Sequence, residues 1–562
     1  MHTHKILKIP IAAVPFQNTF SNELGVSKIL AQVLINRQIK TVSDAHEFLK
    51  PTTEHLLDPY SFLDMHRAVH SIKGAMARKE KIMIFGDYDA DGITSTALLK
   101  DMFLKLGADV THYLPHRIKE GYGLNKNAVN FAKQKNIKLL ITVDCGVSDH
   151  KEIEELKRSG IEVIVTDHHE PQETALPKDT IIINPKLKDS GYKYRDLAGV
   201  GVAYKLACAI CDSKLLEDLD MVCLGTIADS APLIGENRII AKEGLLRLSQ
   251  TKKAGLRELI DNAGIADKKF SSTFVSFILA PRINASGRMD NADASLDLLL
   301  SRSPEEAGKF AKILEQHNRQ RQKIEAKILG EAEDLINKEV NFKEHKVIVV
   351  AQENWHQGVL GIVASKIADR FYRPAIVISL NEGLCKGSAR SIKNFHIFDA
   401  LSDCGESLDS FGGHAHAAGF SIDRNNIGEF RENINRLAHN RLSFEDLIPS
   451  LDIDMELNLT DLDEKTILEL EALEPFGKGN PEPLFYTRNL KLKSEPQILN
   501  KGTLKFWVTD GFVTFAAIGF RMSHFKDSIK MADNFGLVYT PKMDTWGGQN
   551  SIILELKDII PG

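Results

Sequence analysis

Three aspartates, Asp87, Asp89 and Asp91, occupy every second position directly after the apolar run Ile82 to Phe85 in KIMIFGDYDADGITSTALL. Like charges held this close repel and raise one another's pKa, so a positive species among them would be needed to keep all three ionised. One Asp-Gly after a strand is an ordinary turn. Three aspartates exceed what a turn needs, and hard divalent cations take oxygen ligands. For this stretch alone, the turn and the metal site both stand. Other apolar runs end in the same way: LLITVDCG delivers Asp144, EVIVTDHH delivers Asp167, His168 and His169, and LGTIADSAPL delivers Asp229. A lone histidine at a strand end is usually a satisfied hydrogen-bonding residue; an adjacent pair after an aspartate, beside Asp89, Asp91 and Asp144, is a candidate ligand set. Asp and His together suit Mn²⁺ or Mg²⁺, with carboxylates able to bridge two ions, whereas structural zinc more often recruits cysteine. Two ions about 3.5–4 Å apart are the usual tool for hydrolysing phosphate esters.

These residues need a scaffold that brings separated strand ends together. From Lys81 the runs KIMIFGDYD, DVTHYLPH, KLLITVDCG, EVIVTDHH and TIIINP alternate with amphipathic stretches, which implies βαβ units and a parallel sheet. Open α/β sheets place their sites at the C-terminal strand edge, where the polar residues fall. Residues 1 to 75 read as a helical segment without obvious chemistry, 76–235 as the parallel-sheet domain and 236–340 as helical. Within the last, Ser303 can N-cap, Pro304 fits the first helical position and Glu306 completes a capping box. About 36 helical residues follow, spanning about 54 Å, enough to connect two lobes. A second α/β pattern, with HKVIVVAQ and AIVISL as strands, fills 341–445, and short β-like runs over 446–562 are compatible with a small barrel.

The chain's 562 residues exceed one hydrophobic core, so several domains are expected. A net charge of −5 excludes a polycation, and any nucleic-acid contact must use a local basic surface. Six cysteines in this length do not suggest a disulfide scaffold; Cys208 and Cys211 lack a second pair for zinc and fit one face of a buried helix. No stretch reaches 18 apolar residues, and MHTHKILKIPIAAVPF makes a poor signal peptide, so a cytoplasmic location without membrane contact is the expectation.

In this order, DYDADG, TVDCG, VTDHH and GTIAD resemble the DHH phosphoesterase superfamily, whose name matches Asp167-His168-His169. The resemblance implies that Asp89, Asp91, Asp144, His168 and Asp229 hold two Mn²⁺ or Mg²⁺ ions, with Asp144 bridging. It implies that His169 works near the scissile phosphate as hydrogen-bond donor or general acid, and that Asp87 and Asp167 orient the ligands. Many members carry a histidine ligand where this chain has Phe85, so one ion is expected to be held less tightly. SFGGHAHAAGF resembles the DHH-associated substrate domain, giving an α/β fold of two such lobes joined by a long helix, plus a C-terminal OB-type β-barrel. Glycines there let backbone N–H groups approach phosphate oxygens.

PHRIKEGYGLN, LAGVGVAYKL, APRINASGRMD, ENWHQGVLGIVASK and LEPFGKGNPEPLF resemble the branch of bacterial single-strand-specific exonucleases over nearly the whole chain. This implies that Arg117, Ser388 and Arg390 hold a 5′ phosphate, that Tyr122 meets the terminal base, that Arg288 contacts the backbone near the cut, and that His356 and His414 line the groove. The family's GSGRS is GSARS here, with Ala389 for glycine. Of Phe506, Trp507, Phe512, Phe515 and Phe520 most are expected in the barrel core, with one or two serving as base-stacking platforms. The expected activity is metal-dependent 5′→3′ hydrolysis of single-stranded DNA in repair and recombination. A single-strand-binding protein and a helicase are the candidate protein partners, and a monomer is the expected state. The alternatives are a phosphodiesterase for short oligonucleotides or cyclic dinucleotides, which needs no barrel, and a non-catalytic DNA-binding scaffold, which needs no intact ligands.

Overall fold

The computed structural model describes residues 5–11, 13–171, 176–544 and 550–561. It divides into two units, and the first contains Leu57–Ala231 and Glu243–Pro449. Its first sheet has five strands: β1 Ile82–Gly86, β2 Val110–Tyr113, β3 Leu139–Val143, β4 Glu162–Thr166 and β5 Ile181–Ile183. Their spatial order is β2-β1-β3-β4-β5, and all pairs are parallel. β1 and β3 are buried along their full length, as their nearly continuous apolar sequences require for a parallel sheet covered on both faces. The parallel register aligns their C-terminal ends, with Val143 opposite both Gly86 and Thr166. Three helices pack near that edge: α1 Ala90–Lys105, α2 Gly199–Cys211 and α3 Leu219–Ala228. Cys208 and Cys211 lie on α2 as free thiols.

Helix α4, Ala280–Met289, precedes the 36-residue helix α5, Pro304–Glu339. The Ser303 side chain accepts from the Glu306 N–H at 3.2 Å. Glu306 reaches the Arg302 N–H at 3.3 Å rather than that of Ser303, so the expected reciprocal capping box is not completed. Beyond α5 lies a second sheet of β6 Ile348–Glu353, β7 Ala375–Leu380, β8 Leu384–Arg390, β9 Ser410–His414 and β10 Ala417–Asp423, ordered β9-β10-β8-β7-β6. Only β6 and β7 pair in parallel. Helix α6, Leu360–Phe371, packs against this sheet.

The second unit joins the N-terminal segment up to Leu56, Pro232–Lys242 and the chain from Ser450 onward. Seven strands form its sheet, and Phe485–Leu492 also pairs with Thr503–Thr509, which closes it into a barrel. The helix Lys28–Asn36 shares the barrel's core: Ile29, Leu30, Val33 and Leu34 cluster with Phe485, Leu504, Phe506 and Tyr539. The N-terminal segment is not purely helical, because Ile6–Lys8 is a strand paired in parallel with Ser450–Asp452. Arg238 is buried and donates to the carbonyls of Phe48, Ala472, Leu473 and Glu474, which staples the three segments of this unit. The aromatic expectation for the barrel needs correction. Phe506 is core, but Trp507, Phe512 and Phe520 are 46%, 88% and 61% exposed. The alternation of the strand Thr503–Thr509 turns Trp507 outward, and Phe512 and Phe520 lie beyond strand ends.

Candidate metal centre and substrate groove

The C-terminal edge of the first sheet gathers the acidic and imidazole groups. Asp89 stands at the N-cap of α1 and its carboxylate accepts from the Asp91 and Gly92 N–H groups at 2.9 and 3.2 Å. Asp91 accepts from Gly199 N–H at 2.7 Å and Val200 N–H at 2.8 Å, so the first turn of α2 fixes both its oxygens. Asp144 follows β3 with φ of 62°, a left-handed conformation that aspartate tolerates better than most residues. A Cβ on Gly199 would stand 2.6 Å from Asp144 Oδ1, so only glycine lets α2 start this close.

Among the described residues, three groups place a ligand atom from each member within 4.8 Å of the others: Asp87, Asp89 and Asp144; Asp91, His168 and Asp229; Asp144, His168 and His169. Asp144 and His168 each belong to two groups, and His168 Nε2 lies 3.1 Å from Asp144 Oδ1. Among the described residues, Asp87 Oδ1, Asp144 Oδ1 and His168 Nε2 are buried without a formed hydrogen bond, the last two in contact only as a close pair of ligand atoms. Buried polar atoms in native proteins are normally paired, so oxygen and imidazole atoms left bare in one place fit divalent cations. All five residues expected to hold metal are therefore together. Asp87, expected to orient ligands, lies inside one of the groups.

Electrostatics agree with that fit. Burial, then the charge of Asp89, pushes Asp87 up to about 8. Burial, then Asp229, pushes Asp91 up to about 7, and burial with the neighbouring aspartates raises Asp144 well above its usual range. Asp167 behaves oppositely: against its burial, the hydrogen bond and charge of His169 hold it at about 2. Its Oδ1 accepts from the His168 and His169 N–H groups and lies 2.8 Å from His169 Nδ1, while Oδ2 accepts from Val147 N–H. Burial would lower His169, but Asp167 raises it to about 9, an imidazolium at neutral pH. Burial, then His169, lowers His168 to about 4, which leaves it neutral and able to ligate. Phe85 is fully buried in an apolar cluster and stacks on Tyr113 at 5.9 Å, so no ligand atom stands there.

The groove residues converge as well. The Tyr122 hydroxyl lies 3.0 Å from His169 Nδ1 and donates to the Asp144 carbonyl at 3.2 Å. His414, in the second lobe, stacks on His169 with ring centroids 6.1 Å apart. Arg117 covers the Tyr88 ring at 4.0 Å, and its buried Nε has no partner. Arg288 donates to the Gly358 carbonyl at 2.9 Å, while His356 Nδ1 accepts from the Gly358 N–H at 3.1 Å. A Cβ on Gly361, in the first turn of α6, would stand 3.1 Å from both Ser388 Oγ and Arg390 Nη2. Burial, then Arg117, Arg321 and Arg390, lowers Arg288 to about 9; burial, then Arg117, lowers Arg390. Arg117, Arg288 and Arg390 thus gather positive charge in one place, and guanidinium groups suit phosphate oxygens.

Two supporting residues escaped the sequence reading. Asn284 of α4 accepts from the Ala90 N–H at 2.8 Å, at the start of the helix carrying Asp91. Asp149 accepts from the Leu124 N–H at 2.7 Å, beside Tyr122. Asn284 lies inside APRINASGRMD, four residues before the more conspicuous Arg288; nothing local marks Asp149 as a partner of Leu124.

Residues 81–226 match the DHH family, N-terminal domain; 344–440 match the DHHA1 domain; and 453–558 match the RecJ OB domain. The chain is 39% identical over 543 residues to the single-stranded-DNA-specific exonuclease RecJ of Bacillus subtilis, covering 96% of this chain and 69% of that protein. It is 36% identical to the protein of that name from Haemophilus influenzae, covering 98% of each. A crystal structure of RecJ in complex with Mn²⁺ from Thermus thermophilus superposes with a TM-score of 0.84 at 29% identity, covering 99% of this chain and 80% of that one.

Proposed function

Since the chain belongs to the RecJ family of single-stranded-DNA-specific exonucleases, we propose that it removes nucleotides hydrolytically from the 5′ end of single-stranded DNA, using two Mn²⁺ or Mg²⁺ ions, in DNA repair and recombination. The observation that carries the reading is the set of interlocking carboxylate–imidazole groups with three bare buried ligand atoms. Asp89, Asp91, Asp144, His168 and Asp229 would hold the ions, and Asp87 would steer the Asp89 side of the site. Bound ions supply Lewis-acid polarisation of the scissile phosphate and a lowered pKa for the attacking water. Asp167 holds and orients His169 through Nδ1, which suits His169 to act as general acid toward the departing oxygen. Arg117, Ser388 and Arg390 grip the terminal phosphate, Arg288 holds the backbone beside the cut, Tyr122 stacks on the terminal base, and His356 and His414 line the groove.

A cyclic-dinucleotide or short-oligonucleotide phosphodiesterase has no use for a closed barrel with outward aromatic residues, and a scaffold has no use for a complete ligand set. No helix among the described residues is long and apolar enough to cross a membrane. A cytoplasmic monomer that works with a single-strand-binding protein and a helicase is the cellular setting that this reading implies. Digestion of 5′-labelled and 3′-labelled single strands with Mn²⁺ tests the activity. Mononucleotide label should appear first from the 5′-labelled strand; release from the 3′ label first, or from neither, overturns the proposal.

A further inference from the structure

Tyr122 is half exposed, while its hydroxyl is tied to the metal-site loop. It sits between two left-handed glycines, Gly121 at φ 82° and Gly123 at φ 83°. Such a stretch has wide conformational freedom in the unfolded chain, yet here it is tied at both ends by carboxylates. Upstream, Glu120 accepts from the Tyr113 hydroxyl at 2.7 Å, the His116 N–H at 2.6 Å and Asn127 Nδ2 at 2.9 Å. Downstream, Asp149 accepts from Leu124 N–H at 2.7 Å. Asp149 is also the N-cap of the helix His150–Arg158, where an aspartate ordinarily accepts from its own helix's first N–H groups. Its side chain makes no such bond. It is diverted across to the tyrosine loop, and a Cβ on Gly123 would stand 2.8 Å from its Oδ1. Asp149 belongs to none of the ligand groups.

We infer that Asp149, with Glu120 at the other end of the loop, is a positioning residue that holds Tyr122 in its base-receiving pose and so sets affinity for the 5′ end of the strand. The inference rests on the reading of Tyr122 as the platform for the terminal base. Its consequence is thermodynamic coupling: a loop anchor should matter only through the ring it presents, and residues that act through one another are non-additive.

The test is a double-mutant cycle on steady-state cleavage of a single strand with Mn²⁺. Tyr122→Ala should raise KM by about tenfold, in the range of one lost base stack. Asp149→Ala should raise KM by about fivefold, with kcat within about twofold, because the ligand set is untouched. The double variant should be no worse than Tyr122→Ala alone. Asp149→Asn, whose Oδ1 can still accept the Leu124 N–H, should keep KM near that of the unmodified protein. If Asp149→Ala fails to fold, Glu120→Ala, which frees the other end of the loop, serves instead with the same expectation. Multiplying KM effects in the double variant, or an unchanged KM in the anchor variants while Tyr122→Ala raises it, overturns the positioning role alone. An unchanged KM for Tyr122→Ala overturns the platform reading and this inference with it.

Discussion

At the scale of single residues, Asp144 has the most demanding position. It combines a left-handed backbone, an unpaired buried oxygen and membership of two ligand groups. Asp144→Asn keeps the shape and tolerates the conformation, but weakens the ligand. It should lower kcat by more than about a hundredfold, since losing even an outer partner of a metal ligand costs 10–100-fold. Binding to a single strand, measured by fluorescence anisotropy, should stay within a few-fold; near-normal turnover would remove Asp144 from the centre. The protonation of Asp87 and Asp91 gives a second expectation. Their folded values of about 8 and about 7 lie above the roughly 3.9 of an unfolded aspartate. The metal-free protein therefore holds protons that the unfolded chain releases. That contribution to stability is complete below about pH 4 and is lost as pH rises through about 7 to 8. Ions must displace these protons to bind. Mn²⁺ affinity, and the rise in Tm that Mn²⁺ produces, should both increase between about pH 6 and 8.5, with proton release visible as a buffer-dependent calorimetric enthalpy. A flat affinity across that interval would show the carboxylates already ionised without the ion.

At the scale of elements, the ligands depend on helices distant in sequence. Asn284 on α4 caps the Ala90 N–H of α1, and the first turn of α2 fixes Asp91. Asn284→Ala should weaken Mn²⁺ binding by about tenfold, the size of effect typical for a group orienting a ligand. Asn284→Asp, which can still accept that N–H, should restore much of the affinity; equal weakening in both variants would show that the cap is not what matters. These dependencies mark where the sequence stops being legible. The strand ends could be read because apolar runs of β period stopped on Asp or His, and α5 because Ser303 and Pro304 announce its start. The cross-contacts Asn284–Ala90 and Asp149–Leu124 could not, because a backbone N–H that donates to a distant side chain leaves no trace in the residue type of the donating segment. Phe85 shows a different limit: the departure from a ligand was visible, but its stacking on Tyr113 depends on the parallel register of β1 and β2.

At the scale of the whole molecule, the second unit forbids a clean truncation. Removing the chain from Leu451 would strip the partner strand from Ile6–Lys8 and uncover Ile29, Leu30 and Leu34, so the remnant should aggregate rather than report on DNA binding. Surface substitutions avoid this. Trp507, Phe512 and Phe520 project from the barrel and are spared by its core. Their combined replacement by alanine should weaken binding of this protein to a long single strand, each engaged ring contributing about 1–3 kcal/mol. Stacking releases no counterions, so the dependence of affinity on salt should keep its slope while the whole line shifts down. Tm should hold, because none of the three rings is part of the packed interior. Anisotropy measurements over a salt series on the unmodified and triple-variant proteins distinguish the possibilities. A shallower slope would mean that the substitutions disturbed phosphate contacts instead, and an unchanged line would show that the exposed rings do not face DNA.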